Sequence, residues 1–172
     1  MHVFFKDLFD KERCARLSSE FLEAQEKGLT HFEGNEHHYG NSYGVGKLPL
    51  YEEALQELTP LIIEKTGYKN ITIENSYSRV YFNGSKLHKH IDREGLDLTL
   101  SVCTFSDINK PWPLYVKCMD GVVREFETAV GDGALILGTK MEHWRDPLEC
   151  EDGQKVLQSF FHWRIHHAKK IF

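Results

Sequence analysis

The sequence has no CxxC pair, no long uninterrupted apolar stretch and no excess of positive charge. Each absence excludes something. Its four cysteines, Cys14, Cys103, Cys118 and Cys150, are too far apart for a zinc knuckle or a dithiol redox motif, and they read as reduced thiols. No run nears the roughly eighteen apolar residues of a membrane-spanning helix. The opening "MHVFFKDLFDKERC" is too short in apolar residues and too early in acidic ones for a secretory signal, so a cytoplasmic location is expected. A net charge of −5 offers no surface for nucleic acid or an anionic membrane, and neither is expected as a partner. Internal repeats, low-complexity tracts and linker-like segments are also missing, so the 172 residues are expected to form a single domain.

What remains is an ordinary globular composition, 41% hydrophobic and 27% charged, with ten histidines. Asp10 is a candidate N-cap for a helix through "KERCARLSSEFLEAQEKG", ended by Gly28. A second helix is expected over residues 50–66, with Pro60 inside it and Gly67 at its end. Between them, "THFEGNEHHYGNSYGVGKLP" lacks periodicity and is expected to be a long functional loop. From residue 71 the pattern changes to β-branched and aromatic runs: "ITIENSYSRVYF", "LDLTLSVCTF", "LYVKCM", "VVREFETAV", "GALILG" and "KVLQSFFHWRI". Hairpin-sized gaps separate them, which predicts an antiparallel sandwich or barrel over about 71–165, supported by the helices of about 1–70.

The histidine-rich stretch "KLHKHIDREG" allows three uses. His90 and Asp92 form an HxD pair, and with His143 in "MEHWRDP" they would make a facial triad of two histidines and one carboxylate. Such a set leaves three positions of an octahedral iron open. An HxD pair alone is a weak signal in a chain with ten histidines, and His31 with Glu33 forms a competing HxE. A second use is cupin-like, with His88, His90, Glu94 and His143 as ligands, although the glycine spacing departs from that pattern. The third is non-catalytic, a β-sandwich module whose histidines and aromatics line a groove.

Three segments in order carry a resemblance. "SRVYFNGSKLHKHID" is a tyrosine-bearing strand and turn leading into HxD. "GDGALILGTKMEHW" is a Gly-Asp strand ending at a distal histidine. "GQKVLQSFFHW" is a final strand with a basic residue near its start. Together they resemble the 2-oxoglutarate and Fe(II)-dependent oxygenase superfamily, in particular its small prolyl-4-hydroxylase-like branch, over roughly residues 70–165. The resemblance implies a mainly β fold with N-terminal helices and a double-stranded β-helix (jelly-roll) core. It implies a dioxygenase that hydroxylates a substrate while 2-oxoglutarate becomes succinate and CO2. By it His90, Asp92 and His143 would be the Fe(II) ligands, and Lys155 would anchor the far carboxylate of 2-oxoglutarate, with Arg145 as a competitor. Tyr81 would hydrogen-bond the cosubstrate, and Ser159, on the same strand face as Lys155, would lie near the same carboxylate. Ascorbate is a further cofactor the resemblance allows. The substrate it suggests is a peptide or small molecule, with peptidyl proline the leading candidate, and the loop from Thr30 to Pro49, with His37, His38, Tyr39 and Tyr43, is the expected lid. "KPWPLYV" replaces a Gly-Gly-x-Leu segment of that branch, so the entrance differs.

Overall fold

A computed structural model of the chain describes residues 1–34 and 40–166. The elements in order are β1 (His2–Phe5), α1 (Lys11–Glu26), β2 (His31–Phe32), β3 (Ser42–Gly46), α2 (Pro49–Thr66), β4 (Ile71–Tyr81), β5 (Leu87–His90), β6 (Leu98–Ser106), β7 (Leu114–Lys117), β8 (Val123–Phe126), β9 (Gly133–Ile136), β10 (His143–Arg145) and β11 (Val156–Ile165). They form a seven-stranded sheet of order β1-β9-β6-β11-β4-β3-β2 and a four-stranded sheet of order β5-β10-β7-β8. Every pairing is antiparallel. This is the expected mainly β jelly-roll core with N-terminal helices. No helix among the described residues is long and apolar enough to cross a membrane.

The helices form where their ends are satisfied. Asp10 accepts a hydrogen bond from the Arg13 backbone N–H at 2.7 Å and caps α1. Gly67, at φ 73°, ends α2 by donating its N–H to the Ile63 carbonyl. The second helix runs through Pro60 as one element. Both helices cover the outer face of the larger sheet. Phe161 of β11 meets Phe9 and Tyr51, and the Trp163 indole donates to Thr59 Oγ1 at 2.8 Å. Leu98, Leu100 and Val102 of β6 point the same way and are fully buried. Alternation then turns Thr99 and Ser101 toward the smaller sheet, where both line a cavity.

Contrary to the expectation of a long loop, the segment 30–49 is partly extended strand. It contains β2 and β3, and β3 adds to β4 in the register Ser42↔Tyr81 to Gly46↔Tyr77. The glycines that read as loop markers are packing accommodations. A side chain at Gly44 would collide with the Tyr77 hydroxyl and with Glu33 Oε1, so only hydrogen fits. Tyr43 is held between the rings of Phe32 and Phe82. His37, His38 and Tyr39, expected in the lid, lie outside the described residues.

Candidate metal centre

The smaller sheet brings two histidines together by register. His90 ends β5, His143 begins β10, and the two are direct cross-strand partners with ring centroids 4.3 Å apart. Asp92 lies just beyond the end of β5, and its backbone N–H donates to the Gly138 carbonyl at 2.9 Å. Its Oδ1 stands 3.4 Å from His90 Nε2 and 3.5 Å from His143 Nε2. One ligand atom of each of the three side chains falls within 4.8 Å of the others.

Each of these side chains is also oriented from behind. His90 Nδ1–H donates to the His88 carbonyl at 2.7 Å, and His143 Nδ1–H donates to the Met141 carbonyl at 2.9 Å. Both imidazoles thereby present the Nε2 lone pair toward Asp92. Thr99 Oγ1 donates to Asp92 Oδ2 at 2.5 Å, leaving Oδ1 toward the histidines. Burial by itself would raise the Asp92 carboxyl. The His143 and His90 imidazoles and the Thr99 hydroxyl outweigh it and hold the group well below the usual carboxylate range. For His90, burial pulls the value down, but Asp92 and the His88 carbonyl raise it above normal. Two imidazole lone pairs and a carboxylate thus converge on one point. Such a donor set suits a divalent first-row metal.

Gly138 makes the approach possible. A Cβ there would run into Asp92 Oδ2, Thr99 Oγ1 and, at 2.6 Å, the Leu96 carbonyl. The other metal candidates are elsewhere. Glu94 is exposed, and neither it nor His88 belongs to the cluster, so the cupin-like set is not assembled among the described residues. His31 is exposed, and Glu33 is committed to Arg79 and Tyr77.

The triad opens into a cavity of about 260 Å3, a size for a small molecule or one extended side chain. Its wall on the larger sheet is layered by register. Asn75, His162 and Thr99 form one row across β4, β11 and β6, Tyr77, Phe160 and Ser101 the next, and Arg79 pairs with Gln158 beyond them. Arg79 Nε bonds to Glu33 and Arg79 Nη1 donates to the Tyr81 hydroxyl at 3.0 Å.

Arg145 projects from β10 of the smaller sheet toward Ser101, outside the cavity lining. Alternation along β10 turns it inward with His143, while Trp144 stacks outside on Tyr115. It is 2% exposed. Its Nη1 donates to the Trp112 carbonyl, its Nη2 lies 3.5 Å from Ser101 Oγ, and its Nε has no partner among the described residues. None of the described carboxylates pairs with it, and burial pushes its pKa down to about 10. Tyr81 is wholly buried near it, edge-on to Trp112 at 4.7 Å.

Lys155 and Ser159 are not brought to the site, contrary to the sequence expectation. Lys155 precedes β11, with its ammonium 5.7 Å from the Phe105 ring centroid and its N–H on Asp107. Ser159 bonds Thr104 Oγ1 at 2.9 Å on the helix-facing side, the side of Phe161. The inward residues of β11 are Gln158, Phe160 and His162, which sequence reasoning missed along with Asn75, Tyr77, Arg79 and Thr99. A signal was present in "NSYSRVY", where Asn75, Tyr77, Arg79 and Tyr81 alternate with small or apolar residues.

No family model and no curated relative matches the sequence. Solved structures do. A prolyl-4-hydroxylase from Pseudomonas putida superposes with a TM-score of 0.76 at 15% identity, covering 96% of this chain and 92% of that one. A viral collagen prolyl hydroxylase from Paramecium Bursaria Chlorella virus-1, in complex with 2OG, gives 0.67 at 13%, covering 95% and 96%. HygX from Streptomyces hygroscopicus, with nickel, 2-oxoglutarate and hygromycin B bound, gives 0.70 at 14%, covering 95% and 82%. The chain has the fold of the prolyl hydroxylases and other 2OG-Fe(II) oxygenases.

Proposed function

We propose that this protein is an Fe(II)- and 2-oxoglutarate-dependent dioxygenase that hydroxylates a peptide or small-molecule substrate, releasing succinate and CO2. The observation that carries this reading is the cluster of His90, Asp92 and His143, with a ligand atom of each within 4.8 Å and every second atom already engaged. Those residues would hold the metal. When bound, Fe(II) would supply oxygen activation coupled to decarboxylation of the 2-oxo acid.

The chain's own residues do the rest. Arg145 is the anchor for the far carboxylate of 2-oxoglutarate, in preference to Lys155. A buried guanidinium without an anion is costly, and an incoming carboxylate past Ser101 would offset that cost. Arg79 is already matched by Glu33 and belongs to the substrate side. Tyr81, bonded to Arg79 Nη1, orders the wall between the two arginines. Leu87, Leu114, Ala134, Ile136 and Phe160 supply apolar lining that limits water near the triad. Peptidyl proline remains the leading substrate candidate, on the likeness to prolyl hydroxylases; HygX, crystallised with hygromycin B, keeps a small molecule open. Ascorbate as a reductant and a cytoplasmic location belong to the same proposal.

The test is an anaerobic titration with Fe(II) and 2-oxoglutarate, followed by oxygen and mass spectrometry of candidate substrates. Stoichiometric binding of both, with a gain of one oxygen atom by a substrate and matching succinate, supports the reading. Failure to bind 2-oxoglutarate in the metal-loaded protein refutes it.

A further inference from the structure

Gly138 is held through its backbone from both sides. Its carbonyl accepts from the Asp92 N–H at 2.9 Å, and its own N–H donates to the Asp97 carbonyl at 3.0 Å. The segment that carries Asp92 is thus laced at two points to the turn after β9, while Thr99 farther along holds Asp92 Oδ2. Where Asp92 stands therefore depends on where this turn stands. The β6–β9 ladder ends at Thr99↔Ile136, two residues short of Gly138, so sheet register alone does not set the turn.

The side chain of Asp97 does. Its Oδ1 accepts from the Thr139 hydroxyl at 3.1 Å, and its Oδ2 accepts from the Ile165 backbone N–H at 2.9 Å. One half-buried carboxylate thereby ties the turn at Thr139 to the last residue of β11. Both donors are neutral, so the arrangement supplies geometry rather than charge. Among the described residues the ligand cluster includes Asp92 and not Asp97.

We propose that Asp97 is a positioning residue for the metal centre, acting through Thr139 and the Gly138 backbone on Asp92, with the end of β11 as part of the same support. This rests on the reading of His90, Asp92 and His143 as the metal holders, and it adds a residue outside that set. Without the carboxylate the turn is released, and Asp92 Oδ1 loses its fixed distance from the two Nε2 atoms. Outer partners of metal ligands alter affinity by about 10–100-fold, and Asp97, one step farther out, belongs at the lower end.

The test is Co(II) binding to the full chain by chelator competition. The d–d absorption of bound Co(II) reports ligand geometry, and urea unfolding of the metal-free protein reports stability. Asp97→Ala should weaken Co(II) binding about tenfold and shift the spectrum. Asp97→Asn should restore both, because its carbonyl still accepts from Ile165 and its amide donates to the Thr139 hydroxyl, which reverses its role. Thr139→Val should act in the same direction as Asp97→Ala and add little to it in the double variant. Tyr51→Phe removes a buried bond to the Leu17 carbonyl on the helix side, and should lower the urea midpoint with Co(II) affinity and spectrum unchanged. Unchanged affinity and spectrum in Asp97→Ala, no rescue by Asp97→Asn, additive losses in the double variant, or an equal loss of Co(II) in Tyr51→Phe overturns the proposal. Absence of Co(II) binding in the unaltered chain overturns the metal-centre reading together with it, so the two failures are told apart.

Discussion

Replacing Arg145 with methionine keeps most of the side-chain volume and removes the charge. Arg145 is 2% exposed and burial pushes its pKa down to about 10, a penalty of about 3 kcal/mol on the charged form at 1.36 kcal/mol per unit. In the unliganded protein the variant should therefore be as stable as the original or more so, less about 1 kcal/mol for the bond lost to the Trp112 carbonyl. Binding should behave the opposite way. Truncating one partner of a buried ion pair costs about 3–5 kcal/mol, so the affinity for 2-oxoglutarate should fall on the order of a hundred- to a thousand-fold. The assay is calorimetry of 2-oxoglutarate and of 2-oxobutyrate, which lacks the far carboxylate, into Mn(II)-loaded protein. The original chain should prefer 2-oxoglutarate strongly, and Arg145→Met should bind the two about equally, with Mn(II) affinity little changed. Lys155→Met should retain the preference. If Lys155→Met loses it and Arg145→Met does not, the reasoning from the buried unpaired cation is wrong.

Three further outcomes follow from the geometry. Gly138→Ala should displace Asp92 and weaken metal binding by about 10–100-fold, read by chelator competition, while the protein remains folded. His90→Ala should abolish metal binding and His88→Ala should change it little; equal losses would favour the cupin-like set. His162, pushed down to about 4 by burial, stays neutral in the folded chain while the unfolded chain takes up a proton below about pH 6.5. Its contribution is fully present above pH 6.5 and is lost as pH falls toward 4, amounting to about 3 kcal/mol. Urea midpoints at pH 7 and pH 4 should therefore differ less in His162→Phe than in the original chain, and an equal pH response in the two would refute this.

The triad was legible because each part carried its own signal: an HxD after a strand, a distal histidine after a Gly-Asp strand, and their order along the chain. The helices were legible through Asp10 and Gly67, whose capping roles depend only on local geometry. The placement of Lys155 and Ser159 was not. Lys155 and Ser159 share a face, but which face points inward depends on how β11 meets its neighbours. The pairing with β6 slips between Leu157 and Gln158, opposite Thr104, a bulge that no local pattern announces. The inward direction of Arg145 was legible by alternation alone, two residues from His143 within one short strand. The strands β1, β2, β3, β5 and β10 were missed because they are short or rich in Gly and His. Tertiary pairing, not propensity, makes them extended.

The last strand, β11, lies in the middle of the larger sheet, between β6 and β4. During synthesis, β4 and β6 leave the ribosome well before the strand that joins them, each with an unfilled edge. Closing the sheet requires pairings of long sequence separation, which form slowly. The nascent protein therefore passes through an interval in which its most adhesive surfaces are exposed, and chaperone demand and inclusion-body formation should track the time taken to translate residues 106–165. Synonymous codon changes that slow that stretch should lower soluble yield without altering the finished molecule.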